Sequence, residues 1–251
     1  MKIWLLGAAL LLFAGPLRAG PPMPGGSAPL LRAHPSPAGP TLAAGETTLA
    51  NGAVAYRPAK APAGPLPVLI LLHGAGGYPQ GFLQKMEPLA DRLGLILIAP
   101  HSLDRTWDLI GQTQDQPWLG LDAHRLDQSL TDLFKRSAVD PAHVVLLGFS
   151  DGGSYALSLG LANPKLFTTV IALSPGMLAP LKRFDHAQQV FIAHGRSDHV
   201  LPFATTRDIA DGLQRGGANV RFRPFSGDHQ IDPESLTEAL EWAFGPRALQ
   251  Q

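Results

Sequence analysis

Apolar residues along this chain fall into two alternating patterns. Short solid runs occur at residues 68–72 (Val-Leu-Ile-Leu-Leu), 95–99 (Leu-Ile-Leu-Ile-Ala) and 143–148, with further runs at 168–173, 190–193 and 220–225. Between them lie stretches with helical spacing at residues 82–93, 121–135, 150–161, 203–215 and 233–244. In the first of these, Phe82, Met86, Leu89 and Leu93 share one face, and Gly94 follows as a stop. The strand runs are apolar at successive positions, so both of their faces are covered. Strands of this kind, alternating with helices, predict an α/β fold with a mostly parallel sheet and helices on both faces.

Other stretches are less regular. Residues 47–56 read as a strand pair broken at Asn51-Gly52, a dipeptide suited to a tight turn. Residues 101–120 have no clear period and read as a surface loop beside the sheet, carrying Trp107 and Trp118. Residues 20–45 hold Pro or Gly at twelve of 26 positions, which predicts a disordered or extended linker. One α/β domain is therefore expected at residues 46–247, with a short tail at 248–251. No internal repeat is visible.

The N-terminus adds a targeting expectation. Lys2 is followed by an unbroken apolar run at residues 3–14 and then by a region ending at Ala19. This run is short for a membrane span, which needs about 20 residues. It reads as a signal peptide, residues 1–19, and the mature protein is expected to be secreted or periplasmic. The alternative is an uncleaved N-terminal anchor.

Charge and cysteine content narrow the chemistry. Lys plus Arg and Asp plus Glu are both 20, and no dense basic cluster appears, so nothing points to nucleic acid or to a stable membrane partner. There is no cysteine, which excludes disulfides, thiolate metal sites and a Cys nucleophile. The nine histidines show no ligand spacing, and no metal site is expected. The sequence does not set the oligomeric state.

Four short motifs fall where the strands end. Gly148-Phe149-Ser150-Asp151-Gly152 follows the strand at 143–148 and opens the helix at 150–161. A serine in a cramped strand-to-helix turn needs glycine neighbours, and this placement makes Ser150 the candidate nucleophile. A serine hydroxyl needs a base, and the base needs an orienting acid. Asp198 follows the strand at 190–193 and His229 follows the strand at 220–225, so both sit at the C-terminal edge of the sheet. Asp185, Asp208 and Asp211 are weaker acids for the role, and His199 is the second choice of base. His73-Gly74-Ala75-Gly76-Gly77 follows the first solid strand. Its Ala75 N–H, together with the Asp151 N–H, is placed to stabilise an oxyanion, while His73 reads as a brace for the loop. His73, Trp107, Trp118 and Met177 are candidates for the pocket wall. With no lid segment visible, an open cleft for short or soluble acyl substrates is expected.

Together, residues 72–77, 148–153, His194-Gly195 with Asp198 and Pro202, and Gly227-Asp228-His229 with Ile231 resemble the phospholipase/carboxylesterase family of α/β hydrolases. A more distant similarity is to polyhydroxyalkanoate depolymerase-like and feruloyl esterase-like esterases. The resemblance implies an α/β-hydrolase fold without a large lid domain. It also implies hydrolysis of small-molecule carboxylic esters or thioesters without metal or organic cofactor, with Ser150, Asp198 and His229 as catalytic residues. Two positions depart from the family pattern: Asp151 stands where Gln is frequent, and Asp228 where Gly is frequent. Two rival readings remain at this stage, an acyltransferase on the same residues and a non-catalytic binding protein with the same fold.

Overall fold

The computed structural model describes residues 31–109, 120–181 and 185–245. The apolar runs become the inner strands of one eight-stranded sheet. These are β1 (Gly45–Thr48), β2 (Val54–Arg57), β3 (Leu66–Leu72), β4 (Ile96–Ala99), β5 (Val139–Phe149), β6 (Thr169–Leu173), β7 (Gln189–Gly195) and β8 (Asn219–Phe225). Their order across the sheet is β1-β2-β4-β3-β5-β6-β7-β8. β1 and β2 pair antiparallel with their neighbours, and all pairings from β4 to β8 are parallel.

Alternation along the strands divides the core into two layers. Val68, Ile70 and Leu72 point into one layer, Leu69 and Leu71 into the other, and all five are fully buried. The first layer is closed by α2 (Leu121–Arg136), α3 (Asp151–Ala162) and α4 (Phe203–Arg215). The second is closed by α1 (Pro79–Leu93) and α5 (Pro233–Phe244). Helix boundaries follow local chemistry. Pro79 opens α1, and Gly94 ends it in the left-handed region at φ 64°. Asp232 caps α5 by accepting from the Ser235 N–H at 2.8 Å.

Three expectations change. Residues 31–45 are extended, but they are docked rather than a free linker. Ala33 and Leu42 are buried in the layer shared with α2. The Leu31 N–H donates to Asn163 Oδ1 at 2.7 Å, and the Ala138 and Val139 N–H groups donate to the carbonyls of Pro40 and Ser36 at 2.8 Å each. Proline density rules out helix and inner strand, yet proline carbonyls still accept hydrogen bonds and two apolar side chains suffice to anchor the segment. The expected hairpin turn is a short 3-10 turn at Ala50–Gly52, and Asn51 and Gly52 do take positive φ there (58° and 74°). β5 begins at Val139 and runs through Asp140-Pro141, earlier than the run expected from residue 143; a register irregularity lies opposite, between Leu66 and Val68.

The chain moves outward from β3 to β4 on one side and to β5 on the other. The adjacent C-terminal ends of β3 and β5, paired at Leu72 and Gly148, therefore form a topological switch point. Open parallel sheets collect ligands at such points. Among the described residues no helix is long and apolar enough to cross a membrane. The expected signal segment, residues 1–19, and the tail at 248–251 lie outside the described residues.

Candidate active site

Ser150 sits at the junction of β5 and α3 with φ 58° and ψ −121°, a conformation that costs a side-chain-bearing residue on the order of 1–3 kcal/mol. Packing imposes it. A Cβ at Gly148 would stand 2.0 Å from the Gly152 carbonyl oxygen, so only glycine lets the chain turn this sharply. The Ser150 N–H is held by the Leu173 carbonyl at 2.8 Å, which anchors the turn to β6. The serine is largely buried, with 8% of its surface exposed.

Two distant loops meet this serine. The His229 imidazole stands with Nε2 2.8 Å from Ser150 Oγ and Nδ1 2.7 Å from Asp198 Oδ2. Seventy-nine residues separate Ser150 from His229, and 31 separate Asp198 from His229. Close backbone approach makes the encounter possible. A Cβ at Gly195 would fall 2.4 Å from the Gly227 carbonyl oxygen, and the Ser197 N–H donates to that same carbonyl at 3.0 Å. The acid loop and the histidine loop are thus stitched together at the ends of β7 and β8. The Phe149 ring lies 4.9 Å from the His229 ring and limits its rotation.

The Asp198 side chain has no exposed surface. Burial pushes its carboxyl up, but the Leu201 N–H, the His229 imidazole and the Val200 N–H together hold it below the ordinary carboxylate value. The Val200 and Leu201 N–H groups both donate to Oδ1 at 2.8 Å, leaving Oδ2 to face His229. His199, the second choice of base, is turned elsewhere: its Nδ1 is 3.1 Å from Asp228 Oδ2. The His199 and His229 N–H groups donate to Asp228 Oδ1, and these bonds hold that exposed carboxyl down at about 2.

The glycine-rich loop lies beside the serine, with a Cβ at Gly74 placed 3.2 Å from Ser150 Cβ. Asp151 opens α3, so its N–H has no helical partner, and Ala75 occupies an exposed turn between two glycines. Their N–H groups donate to no described backbone or side-chain acceptor. The 101–109 loop braces both. The Gly76 N–H donates to the Arg105 carbonyl at 2.5 Å, and the Thr106 hydroxyl donates to Asp151 Oδ2 at 2.6 Å. The carboxylate that departs from the family pattern is therefore tied down by a hydroxyl.

The candidate wall residues separate. His73 is buried beneath the loop and borders the cleft. Its Nδ1–H donates to the Gly74 carbonyl at 2.8 Å, and burial keeps the imidazole below its usual value. Trp107 does not line the cleft. It is 1% exposed, its indole N–H donates to the His73 carbonyl at 2.8 Å, and its ring packs between His73 and Tyr155. Met177 is half-buried against the core layer under α3 and α4 and lies outside the cleft lining. Trp118 falls outside the described residues.

A cleft of about 660 Å³ is bordered by His229, Phe149 and Gly74, each a neighbour of Ser150. Its walls are Tyr78, Phe82 and Met86 from α1 and its approach, Phe149 beside the serine, and Ile231 and Leu236 from the last loop and helix. These wall residues escaped the sequence reading, although Phe149 and Ile231 stood within the quoted motifs. The sequence places Phe82 and Met86 only on one shared face of their helix, and helical spacing does not separate a core face from a cleft face. Among the described residues no group of three or more His, Asp or Glu side chains could hold a metal ion.

A mostly parallel eight-stranded sheet, with a strained serine at its switch point and a histidine within hydrogen-bond reach, defines an α/β hydrolase. Residues 59–243 match the model of the phospholipase/carboxylesterase family, and the chain belongs to that family. It is 28% identical over 209 residues to a putative esterase, NocK, of Nocardia uniformis subsp. tsuyamanensis, covering 79% of this chain and 58% of that protein. It is 32% identical over 114 residues to an acyl-protein thioesterase 1 of Neurospora crassa, covering 42% of this chain and 46% of the relative. The chain thus spans about half the length of these curated relatives. Among solved structures, a phospholipase/carboxylesterase from Dyadobacter fermentans superposes with a TM-score of 0.59 at 19% identity. That match covers 76% of this chain and 95% of the other and speaks for the fold.

Proposed function

We propose that this protein hydrolyses carboxylic esters, thioesters included, through an acyl-enzyme on Ser150. The observation that carries the reading is the relay from Ser150 Oγ through the His229 imidazole to Asp198, at 2.8 and 2.7 Å. His229 takes the serine proton as Oγ attacks the substrate carbonyl, and Asp198 holds the imidazole and balances its charge. The N–H groups of Ala75 and Asp151 receive the tetrahedral oxyanion. The leaving group takes the proton from His229, and water then attacks the acyl-enzyme with His229 again as base. Family membership supports the reaction class.

The cleft shapes the substrate. Its walls are largely apolar and its volume is that of a small-molecule site. Beside the short or soluble acyl substrates expected from the sequence, an apolar cleft of this size favours an ester with a sizeable apolar arm. With p-nitrophenyl esters of graded length, kcat/KM should rise about fourfold per methylene, corresponding to about 0.8 kcal/mol each, until the cleft is filled. Tyr78 is 66% exposed at the rim, so Tyr78→Ala should leave stability unchanged while lowering kcat/KM for the longest esters and sparing the acetate. A flat or falling profile with chain length would contradict the cleft assignment. No turnover of any ester or thioester in the series would contradict the function.

The same reading includes export, on the apolar pattern of residues 3–14. Expressed with its full N-terminus, the protein should be recovered outside the cytoplasm with a mass beginning at Gly20. Recovery of the intact Met1 form from the cytoplasm would exclude export.

A further inference from the structure

One buried histidine near the site has no part in the relay. His194 is the penultimate residue of β7, with its side chain fully buried. Its Nε2–H donates to the Leu201 carbonyl at 3.0 Å, and the same Nε2 stands 3.1 Å from Asp198 Oδ2. Its Nδ1 is buried without a hydrogen-bond partner. The ring packs edge-on to Phe203 at the start of α4, 6.0 Å between centroids.

The orphaned Nδ1 is the informative feature. A buried nitrogen left without a partner destabilises the fold, and an apolar ring of similar size would avoid that cost. Packing alone therefore favours phenylalanine here. What phenylalanine lacks is the Nε2–H, and that donor lies between two groups the reaction depends on. Leu201 offers its carbonyl to His194 and its own N–H to Asp198 Oδ1. The histidine thus pins the 198–201 turn at the residue that positions the acid, and it places a positive N–H edge beside the oxygen facing His229. Burial pushes the imidazole below its usual value, so the ring is neutral near pH 7 and acts as a donor through Nε2.

We propose that His194 is a positioning residue for the reaction described above, holding the Asp198 carboxylate in register with His229 through the Leu201 turn. The inference rests on the assignment of Ser150, His229 and Asp198, and the test separates the two. His194→Phe removes the donor and keeps the ring. His194→Gln keeps a side-chain N–H within similar reach.

Steady-state kinetics on the best p-nitrophenyl ester should show kcat reduced roughly 10- to 100-fold in the Phe variant, the scale of a misplaced catalytic geometry, with KM within about twofold. The Gln variant should recover most of the loss. The unfolding temperature of the Phe variant should fall only modestly, since the ring is kept while the Leu201 carbonyl loses its donor. An unchanged kcat in the Phe variant would overturn the proposal. So would an insoluble Phe variant, or a Gln variant no better than Phe, since either assigns His194 to packing. Ser150→Ala serves as the control. If that variant retains activity, the function itself fails; if it is inactive while the Phe variant is unimpaired, only the role of His194 fails.

Discussion

Ser150→Ala should lose about 10⁴-fold or more in kcat on p-nitrophenyl esters, without loss of stability. Two separate properties of position 150 produce this result. The hydroxyl is the one group His229 Nε2 can deprotonate at 2.8 Å, so its removal ends acyl transfer. The backbone strain at φ 58° belongs to any residue with a Cβ, so alanine inherits it unchanged. Ser150→Gly is then the informative partner. It should be equally inactive, yet more stable by about 1–2 kcal/mol, because glycine adopts positive φ at no steric cost. Chemical denaturation of the three proteins measures this. Equal stability for Gly and Ala would place the strain elsewhere.

Asp198→Asn should lower kcat by about 10⁴-fold while KM changes little. The carboxylate accepts at both oxygens: the Val200 and Leu201 N–H groups bond Oδ1, and the His229 Nδ1–H bonds Oδ2. An amide cannot accept on both sides. With its oxygen kept by the two backbone donors, its NH2 group faces Nδ1 and forces the imidazole into the tautomer that carries its proton on Nε2, where it cannot take another from serine. Acid stability should change as well. Because the Asp198 carboxyl is held below its ordinary value, its contribution to stability is present above the unfolded-state value of about 3.9 and is lost as pH falls through the folded value. The Asn variant should lack that part of the acid loss. Equal activity of the Asn variant and the parent would remove Asp198 from the mechanism.

Much of this arrangement is legible in the sequence, for physical reasons that differ by element. The inner strands are legible because burial on both faces demands uninterrupted apolar runs, as at Val68–Leu72. The helices of residues 203–215 and 233–244 are found with the same bounds in the structure, since a Pro begins or precedes each and glycine follows. Ser150, Asp198 and His229 stand out because each follows a strand at the sheet edge where such groups gather.

What the sequence hides is anything decided by three-dimensional neighbours. Trp107 lies in an aperiodic stretch that suggests a surface loop, but its indole fills the space between His73 and Tyr155. Leu42 lies in a proline-rich segment whose composition argues against packing, yet it is buried. His194 stood in plain sight within the His194-Gly195 motif. Only coordinates reveal that one of its nitrogens has no partner while the other touches the Leu201 turn and the acid.

Acyl transfer here depends on a serine made nucleophilic by one particular histidine. Treatment with a fluorophosphonate probe, followed by mass mapping of the labelled peptide, reads that property without reference to any substrate. One adduct is expected, on Ser150, formed rapidly in the parent, at least about a hundredfold more slowly in His229→Ala, and not at all in Ser150→Ala. An unlabelled parent protein, an adduct on a different residue, or labelling of Ser150 that is indifferent to the loss of His229 would contradict it.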